Sequence, residues 1–307
     1  MENFAFLLKS YYEDIFYVER ILKSYNKFNV DLIKLYLVVP FNEISEFKKF
    51  ESENIILLDE EQLSKHLVTE PINNIRPGYI NQEIIKLSFW ELELCKNYLC
   101  LDSDGVFLRN FFISDFMYTI ETPYSILVED NELKIEPEYY NTHWIGRDIQ
   151  IKKIIKSIGL PIRNHYLTCH GFGIFSSIIL KSLKDNFMRS NNFTYANLME
   201  ISPYEFSWYN IWLQFDKSIE IHVREPLFKY FHHRNHHLEL IIKNINMKDL
   251  SRGYVGIVIN SNYSRFMGVI NFDEKKHVII ASYFRFNDII KAIFFKINSK
   301  FNIFKNK

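Results

Sequence analysis

The chain has 307 residues, of which 48% are hydrophobic, with 28 Phe and 19 Tyr but only 9 Gly and 8 Pro. This composition excludes a disordered or low-complexity protein and predicts one large folded domain. Lys and Arg together number 37, as do Asp and Glu, so the net charge is zero and a role in binding nucleic acid or another polyanion is not favoured.

The cellular compartment is also constrained by the sequence. Acidic residues lie close behind the first short apolar run, unlike the basic leader of a signal peptide, and no segment approaches the length of a membrane span. Cys95, Cys100 and Cys169 show no metal-binding spacing. We therefore expect a cytoplasmic protein with reduced core thiols.

Taken in chain order, short apolar runs alternate with helical periodicity. "FAFLL" predicts a first strand, and "SYYE", Ser10–Glu13, fits a capping box that starts a helix. "LIKLYLVVP" and "NIILL" predict further strands, Pro77 opens the helix of "YINQEIIKL", and "YLCL" predicts the next strand. "LTCHGFGIFSSIIL", from Leu167, predicts a later strand. The alternation indicates an α/β fold with helices flanking a sheet.

Two carboxylates, Asp102 and Asp104, follow directly after the "YLCL" strand. Burying an unpaired carboxylate is costly, so this position must open to water or hold a cation. Ligands of open α/β sheets bind at the carboxyl ends of the strands. Two carboxylates one residue apart can share Mg²⁺ or Mn²⁺ there with a phosphate-bearing ligand.

Three interpretations of this acidic pair remain open. The first is a solvated turn, which Asp, Ser and Gly all favour. The second is a phosphatase of the haloacid dehalogenase type, because "LDSDGVFL" resembles its first motif, with Asp102 as nucleophile and Asp104 as acid/base. That motif belongs on the first core strand, whereas several strands precede Asp102 here. The third is the D-x-D of a nucleotide-sugar glycosyltransferase.

Four segments carry a resemblance to a known group: "SYYED", "GYINQEIIKL", "YLCLDSD" and "SPYEFSWYNIWL". In this order they resemble bacterial GT-A-fold glycosyltransferases, in particular a poorly characterised group, a domain of unknown function, encoded with surface-polysaccharide genes. The resemblance implies a Rossmann-like mixed sheet flanked by helices in a single domain, residues 1–285. Residues 1–110 would form its nucleotide-sugar half and residues 111–285 its acceptor half.

The activity implied by the resemblance is hexosyl transfer from a nucleotide-diphosphate sugar, with a UDP-sugar as the expected donor. The acceptor would be a glycan or a lipid-linked sugar in capsule or lipopolysaccharide-type synthesis. From another class, a non-catalytic carbohydrate-binding protein that keeps the fold is the alternative. The sequence does not specify the donor sugar or the stereochemical outcome, because both depend on pocket shape.

The resemblance also implies a metal site and a donor site. Asp102 and Asp104 would hold Mn²⁺ or Mg²⁺, and His232 would complete the metal shell or touch the diphosphate. The donor would be bound by residues at strand ends and on one helix, namely Ser10, Tyr11, Asp14, Gln82, Lys86, Asp102, Ser103, His170 and Gly171.

Each of these assignments has a structural alternative. Ser10 fits simple N-capping, and the helix face of Gln82 and Lys86 fits exposure to solvent. His170 fits a core histidine. The cluster "YFHHRNHH" around His232 fits a solvated basic loop or a zinc site, and its arginine is a candidate diphosphate ligand.

A general base is expected near the start of "SPYEFSWYNIW". Glu205 falls in the first turn of the predicted helix and is the candidate base for the acceptor hydroxyl, with simple pairing to the helix dipole as the alternative. Tyr204, Trp208 and Tyr209 are candidates for stacking on acceptor sugar rings, although an aromatic stripe at this spacing also fits a core.

The segment 286–307 differs from the rest of the chain. From Arg285 onward, six basic residues face one acid, a local net charge of plus five, beside a stripe of Ile and Phe at helical spacing. Such a basic amphipathic helix suits the anionic inner face of a membrane, and packing onto the domain is the alternative.

Overall fold

The computed structural model describes residues 1–127, 145–161, 167–168, 171–232, 236–237, 240, 243–260, 270–273 and 278–281. Its central sheet has five strands in the order β3 (Ile55–Asp59), β2 (Leu35–Val39), β1 (Glu2–Lys9), β4 (Cys95–Leu101) and β7 (Ile174–Ser176). The first four strands are parallel, and β7 runs antiparallel to β4. The predicted α/β fold with a mixed sheet is confirmed.

The central strands form where the sequence is apolar on both faces. Every residue of β2 is buried, as are the last six of β1 and the last five of β4. Such continuous apolar runs are typical of parallel strands that are covered by helices on both sides. Phe6 of β1 lies in register between Leu35 of β2 and Leu99 of β4. The "FAFLL", "LYLVV", "IILL" and "YLCL" predictions are confirmed.

Eight α-helices occur in the described part of the chain. In chain order they are α1 (Ile15–Phe28), α2 (Ile44–Phe47), α3 (Pro77–Ser88), α4 (Ile145–Ile158), α5 (Ser177–Ser182), α6 (Tyr195–Ile201), α7 (Glu205–Asp216) and α8 (Met247–Gly253). Helices α3 to α7 contribute to the hydrophobic core on one face of the sheet, and α1 contributes to the core on the other. The sheet is therefore covered on both faces.

A second sheet is joined directly to the first. Its strands lie in the order β5 (Gly105–Phe107), β10 (Gly256–Ile259) and β9 (Phe228–Phe231), and β10 is antiparallel to β5 and parallel to β9. Short pairs are formed by β6 (Tyr124–Ser125) with β8 (His222–Val223) and by β11 (Ile270–Asp273) with β12 (Val278–Ala281). Residues 102–104 are the link between β4 and β5, so both sheets position them.

The structure corrects two predicted elements. Ser10 does not cap α1: a 3₁₀ turn at Tyr12–Asp14 comes first, and Ser10 N instead donates to Val38 O of the neighbouring strand at 3.0 Å. The long strand predicted from Leu167 is reduced to β7, because helix α5 already begins at Ser177.

The central sheet contains strands from both proposed halves of the domain, because β7 lies after residue 110 and pairs with β4. The basic segment 286–307 lies outside the described residues. Within the described part of the chain, no helix is long and apolar enough to cross a membrane.

Candidate functional site

A cavity of about 280 Å³ opens at the carboxyl ends of β1 and β4. The sequence-predicted residues that line it are Tyr11, Asp14, Gln82, Lys86, Asp102, Ser103, Asp104, Tyr204 and Glu205. These side chains come from the strand ends, from α3 and from the start of α7. The fold thus brings together most of the residues that sequence reasoning proposed for one ligand.

A second cavity, of about 260 Å³, adjoins the first where β1 and β2 end. Tyr11, Tyr79 and Gln82 line both cavities, so the two form one groove along this edge of the sheet. Ser10 lines only the second cavity, is 3% exposed, and its hydroxyl has no hydrogen-bond partner in the described part of the structure.

The two predicted carboxylates differ in their surroundings. The Asp102 side chain is 35% exposed, and its Oδ1 accepts a hydrogen bond from Gln82 Nε2 at 3.1 Å and forms an ion pair with Lys86 Nζ at 3.0 Å. Asp104 is 8% exposed and is held through its backbone, because its carbonyl oxygen accepts from Arg20 Nη2 at 3.2 Å and from Ile259 N at 3.2 Å. Both carboxylates line the cavity.

The next residue links this turn to the start of the chain. Ser103 Oγ donates to Asp14 Oδ2 at 3.3 Å, across from the 3₁₀ turn that follows β1. The ends of the two adjacent parallel strands β1 and β4 are thereby tied to one another.

Lys86 lies at the floor of the cavity with its ammonium group among three carboxyl groups. Its Nζ is 2.8 Å from Glu205 Oε1, 3.0 Å from Asp102 Oδ1 and 3.9 Å from Glu83 Oε2. Lys86 is 2% exposed, Glu83 3% and Glu205 4%. The ring of Phe206 lies 5.1 Å from the ammonium. A buried cation is here compensated by buried anions.

Burial and charge set the protonation of this cluster. Burial alone would lower the pKa of Lys86, but the charges of Asp102 and Glu205 outweigh it and hold that pKa well above its usual value. Burial, followed by the charge of Glu205, raises the pKa of Glu83. Burial would also raise the pKa of Glu205, but Lys86 outweighs it and lowers that pKa. These shifts favour a charged Lys86, an ionised Glu205 and a protonated Glu83.

This geometry corrects the roles predicted for Glu205 and Lys86. A general base needs a free lone pair and a pKa near the working pH, whereas Glu205 accepts from Lys86 and has a lowered pKa. Glu205 is therefore the partner of Lys86 and not an available base. The helix face of Lys86 is not solvated, and its ammonium is engaged by carboxylates and not directed at a diphosphate.

Of the three aromatic residues proposed for the acceptor, only Tyr204 lines the cavity. Trp208 is fully buried, and its Nε1 donates to Leu198 O and Ser202 O. Tyr209 is 2% exposed and stacks on Phe175 of β7 at 4.4 Å between ring centroids. The acceptor role predicted for Trp208 and Tyr209 is wrong, because one helix points Glu205 at the cavity and these two rings into the core.

The remaining predicted residues lie elsewhere. Gly171 packs against the ring of Tyr230, where an added Cβ would come within 2.2 Å of Tyr230 Cε2, so its small size serves this contact. His232 follows β9, and its ring stacks on Tyr230 at 5.1 Å. Strand pairing places His232 beside Asn260, at the edge of the second sheet where Ile259 bonds Asp104. His170 and Arg234 lie outside the described residues.

Three further cavity residues were missed by sequence reasoning. Arg76 precedes α3, and its exposed side chain lines both cavities. Arg147 of α4 is 2% exposed and lines the first cavity, 5.8 Å from the ring of Tyr204. Glu83 lies one residue from Gln82 on α3. Glu83 and Lys86 are three residues apart, a spacing that predicts contact on one face of a helix, so Glu83 could have been identified from the sequence. No local motif marks Arg76 or Arg147.

The donor set at the acidic turn suits a hard divalent cation. Asp102 is oriented through Oδ1, and no residue in the described ranges hydrogen-bonds to its Oδ2. Carboxylate oxygens are the ligands that Mg²⁺ and Mn²⁺ prefer. No group of three His, Cys, Asp or Glu side chains lies at metal-binding distance among the described residues. Any cation bound here would therefore need oxygens from a ligand or from water as well.

The chain is an α/β protein with a groove at the carboxyl edge of a mixed sheet, and Asp102 and Asp104 line this groove. The chain belongs to a family of unknown function, DUF6492, whose model matches residues 6–237. Comparison with curated proteins gives no match. Among solved structures, the apo crystal structure of mouse xyloside xylosyltransferase 1 is similar, with a TM-score of 0.47 and 9% identity, covering 85% of this chain and 99% of that chain.

Proposed function

We propose that this protein is a metal-dependent glycosyltransferase that uses a nucleotide-diphosphate sugar, with a UDP-sugar as the expected donor. The observation that carries the proposal is the position of Asp102 and Asp104, which face a cavity at the carboxyl end of a central parallel strand. In open α/β sheets this is the edge where nucleotides bind. The adjoining second cavity provides a separate compartment for the nucleoside.

Mn²⁺ or Mg²⁺ would be held by Asp102 and Asp104, with the remaining ligands supplied by the diphosphate or by water. His232, the third ligand expected from the resemblance, does not form a metal-binding group with these two among the described residues. When bound, the cation neutralises charge on the diphosphate leaving group. The chain's own residues orient this site: Gln82 and Lys86 fix Asp102, and the backbone of β10 and Arg20 fix Asp104. Arg76, which lines both cavities, is placed to pair with the diphosphate where they meet.

The acceptor is proposed to be a glycan or lipid-linked sugar of a bacterial surface polysaccharide. Tyr204 lines the cavity with its ring beside Arg147, and an aromatic face of this kind packs well on a sugar ring. Docking of the basic segment 286–307 on the inner face of the plasma membrane would bring the enzyme to a lipid-linked acceptor. Glu205 is not the base in this scheme, because its carboxylate is paired with the Lys86 ammonium at 2.8 Å.

Turnover of the donor tests the proposal. Purified protein is incubated with a panel of UDP-, GDP- and CDP-sugars, with Mn²⁺ or with EDTA, and released nucleoside diphosphate is measured. We expect release from at least one donor, dependent on Mn²⁺ and absent in Asp104→Asn. Donor binding without any turnover, in the presence of cell-derived acceptor glycans, would instead support the non-catalytic carbohydrate-binding alternative.

A further inference from the structure

The strongest unexplained feature of the site is the buried charge cluster beneath Asp102. Lys86 contacts Asp102 and Glu205 through the same ammonium, and Glu83 lies within 4 Å of it. Enclosing four ionisable side chains costs folding free energy. Hydrophobic side chains at positions 83, 86 and 205 together would fill the same space without that cost. Fold stability therefore does not explain why charged residues occupy these positions.

The contacts of Asp102 supply a reason. Gln82 donates a hydrogen bond to Oδ1, and Lys86, one turn further along α3, forms an ion pair with the same oxygen, so two side chains fix it. Asp102 Oδ2 receives no hydrogen bond from the described residues, and the Asp102 side chain, 35% exposed, lines the cavity. One oxygen is used for orientation and the other is left for a ligand.

Lys86 is itself held from the side opposite Asp102. Glu205, at the first turn of α7, is 2.8 Å from its ammonium, and Glu83 Oε2 is 3.9 Å from the same group. Without Glu205, a flexible lysine chain would have several rotamers available. With Glu205, the ammonium is fixed between two helices and the end of β4.

We propose that Lys86, clamped by Glu205 and Glu83, is a positioning residue that orients Asp102 so that Oδ2 faces a bound divalent cation. The inference rests on the proposed function, because it concerns how the same site holds its metal and nucleotide. It differs from direct binding of the diphosphate by Lys86, which was the expectation from sequence. Groups that orient a metal ligand through a hydrogen bond typically change metal affinity by about 10- to 100-fold when removed.

Binding measurements separate positioning from direct contact. Isothermal titration calorimetry gives the affinity for UDP with Mn²⁺ and for UDP with EDTA, in wild-type protein and variants. Lys86→Met alone leaves Glu205 buried without its partner, so it risks misfolding. The main variant is therefore Lys86→Met with Glu205→Gln, which removes both charges together. Lys96→Met is the matched control, because Lys96 is exposed and pairs only with the exposed Glu121, at 3.4 Å.

The positioning role predicts a selective loss. In the double variant the affinity for UDP with Mn²⁺ should fall about 10-fold or more, while the affinity for UDP with EDTA stays within about 2-fold of wild type. Circular dichroism should show a folded protein, and Lys96→Met should match wild type under both conditions.

Three results would overturn the inference. An equal loss with and without Mn²⁺ would show that Lys86 binds the diphosphate directly. Unchanged affinity under both conditions would show that the cluster does not orient Asp102. If wild-type protein binds neither UDP nor GDP, with or without Mn²⁺, the proposed function fails and the inference fails with it.

Discussion

Glu91 forms an ion-pair cluster away from the cavity, and it gives a prediction about stability. It lies in the 3₁₀ segment Phe89–Leu92 that follows α3, and its side chain is 9% exposed. Oε1 accepts from Tyr195 at 2.8 Å and is 2.7 Å from Lys184 Nζ, while Oε2 is 3.0 Å from His66 Nε2 and 3.3 Å from Lys65 Nζ. We predict that Glu91→Gln destabilises the fold without altering the groove.

The magnitude follows from these contacts. Hydrogen bonds to a charged group contribute about 1.5–3 kcal/mol, and breaking a fully buried pair costs about 3–5 kcal/mol. Lys184 is 24% exposed and Lys65 is 65% exposed, so water compensates both when the carboxylate is lost. Gln also still accepts from Tyr195. We therefore expect a loss of about 2 kcal/mol at pH 7, or a fall in Tm of about 3 °C for a chain of 307 residues.

The pH dependence has a definite sign. Burial alone would raise the pKa of Glu91, but hydrogen bonds from His66, Lys184 and Tyr195 outweigh it and hold that pKa well below its ordinary value. The stabilisation is then fully present above the pKa of an unfolded glutamate, about 4.3, and is lost as pH falls through the lower folded-state pKa. The gap between wild type and Glu91→Gln should therefore narrow below about pH 4.

Urea unfolding at pH 7, 5 and 3.5, followed by tryptophan fluorescence, measures this gap. Glu121→Gln is the control, because Glu121 is 72% exposed and its pair with Lys96 should contribute less than about 1 kcal/mol. Equal midpoints for wild type and Glu91→Gln at pH 7 would refute the reasoning, as would a gap that persists unchanged at pH 3.5.

Three other predictions concern the site, the second sheet and the basic segment. Asp104→Asn should abolish the Mn²⁺-dependent part of nucleotide binding while circular dichroism stays unchanged, because an amide is a poorer ligand for a hard cation. Gly256→Ala should cost about 1–3 kcal/mol in urea unfolding, because its Cβ would lie 2.5 Å from Val106 O and 2.2 Å from a ring carbon of Phe228. Removing residues 286–307 should abolish co-sedimentation with anionic vesicles, and binding retained by the truncated chain would contradict the membrane proposal.

The sequence predicted the sheet well because its strands are short apolar runs between clear breakers. β1, β2 and β4 are buried on both faces, so their composition alone marks them. The start of α1 was misplaced, because Ser10 fits a cap by residue type while its backbone continues the pairing with β2. Local sequence cannot show how far a strand extends when its partner is distant in the chain.

The candidate site was predictable in part. Asp102, Asp104 and Gln82 were found because they sit at a strand end or on a helix face with a short-range pattern. The partner of Lys86 was not, since Glu205 is 119 residues away and meets it only through the packing of α3 against α7. Trp208 was misassigned because helical spacing shows which residues share a face but not whether that face meets a ligand or the core.

The most direct test of the account is a thermal-shift measurement of wild-type protein with UDP, GDP, CDP and ADP, each with Mn²⁺ and with EDTA. A ligand present at 100 times its Kd stabilises the native state by about 2.7 kcal/mol, which corresponds to a rise in Tm of roughly 4 °C for 307 residues. The account predicts such a rise for one nucleoside diphosphate with Mn²⁺, a smaller one with EDTA, and loss of the Mn²⁺-dependent part in Asp104→Asn. The absence of a shift for all four, or an identical Mn²⁺-dependent shift in Asp104→Asn, would contradict a nucleotide-sugar site at Asp102 and Asp104.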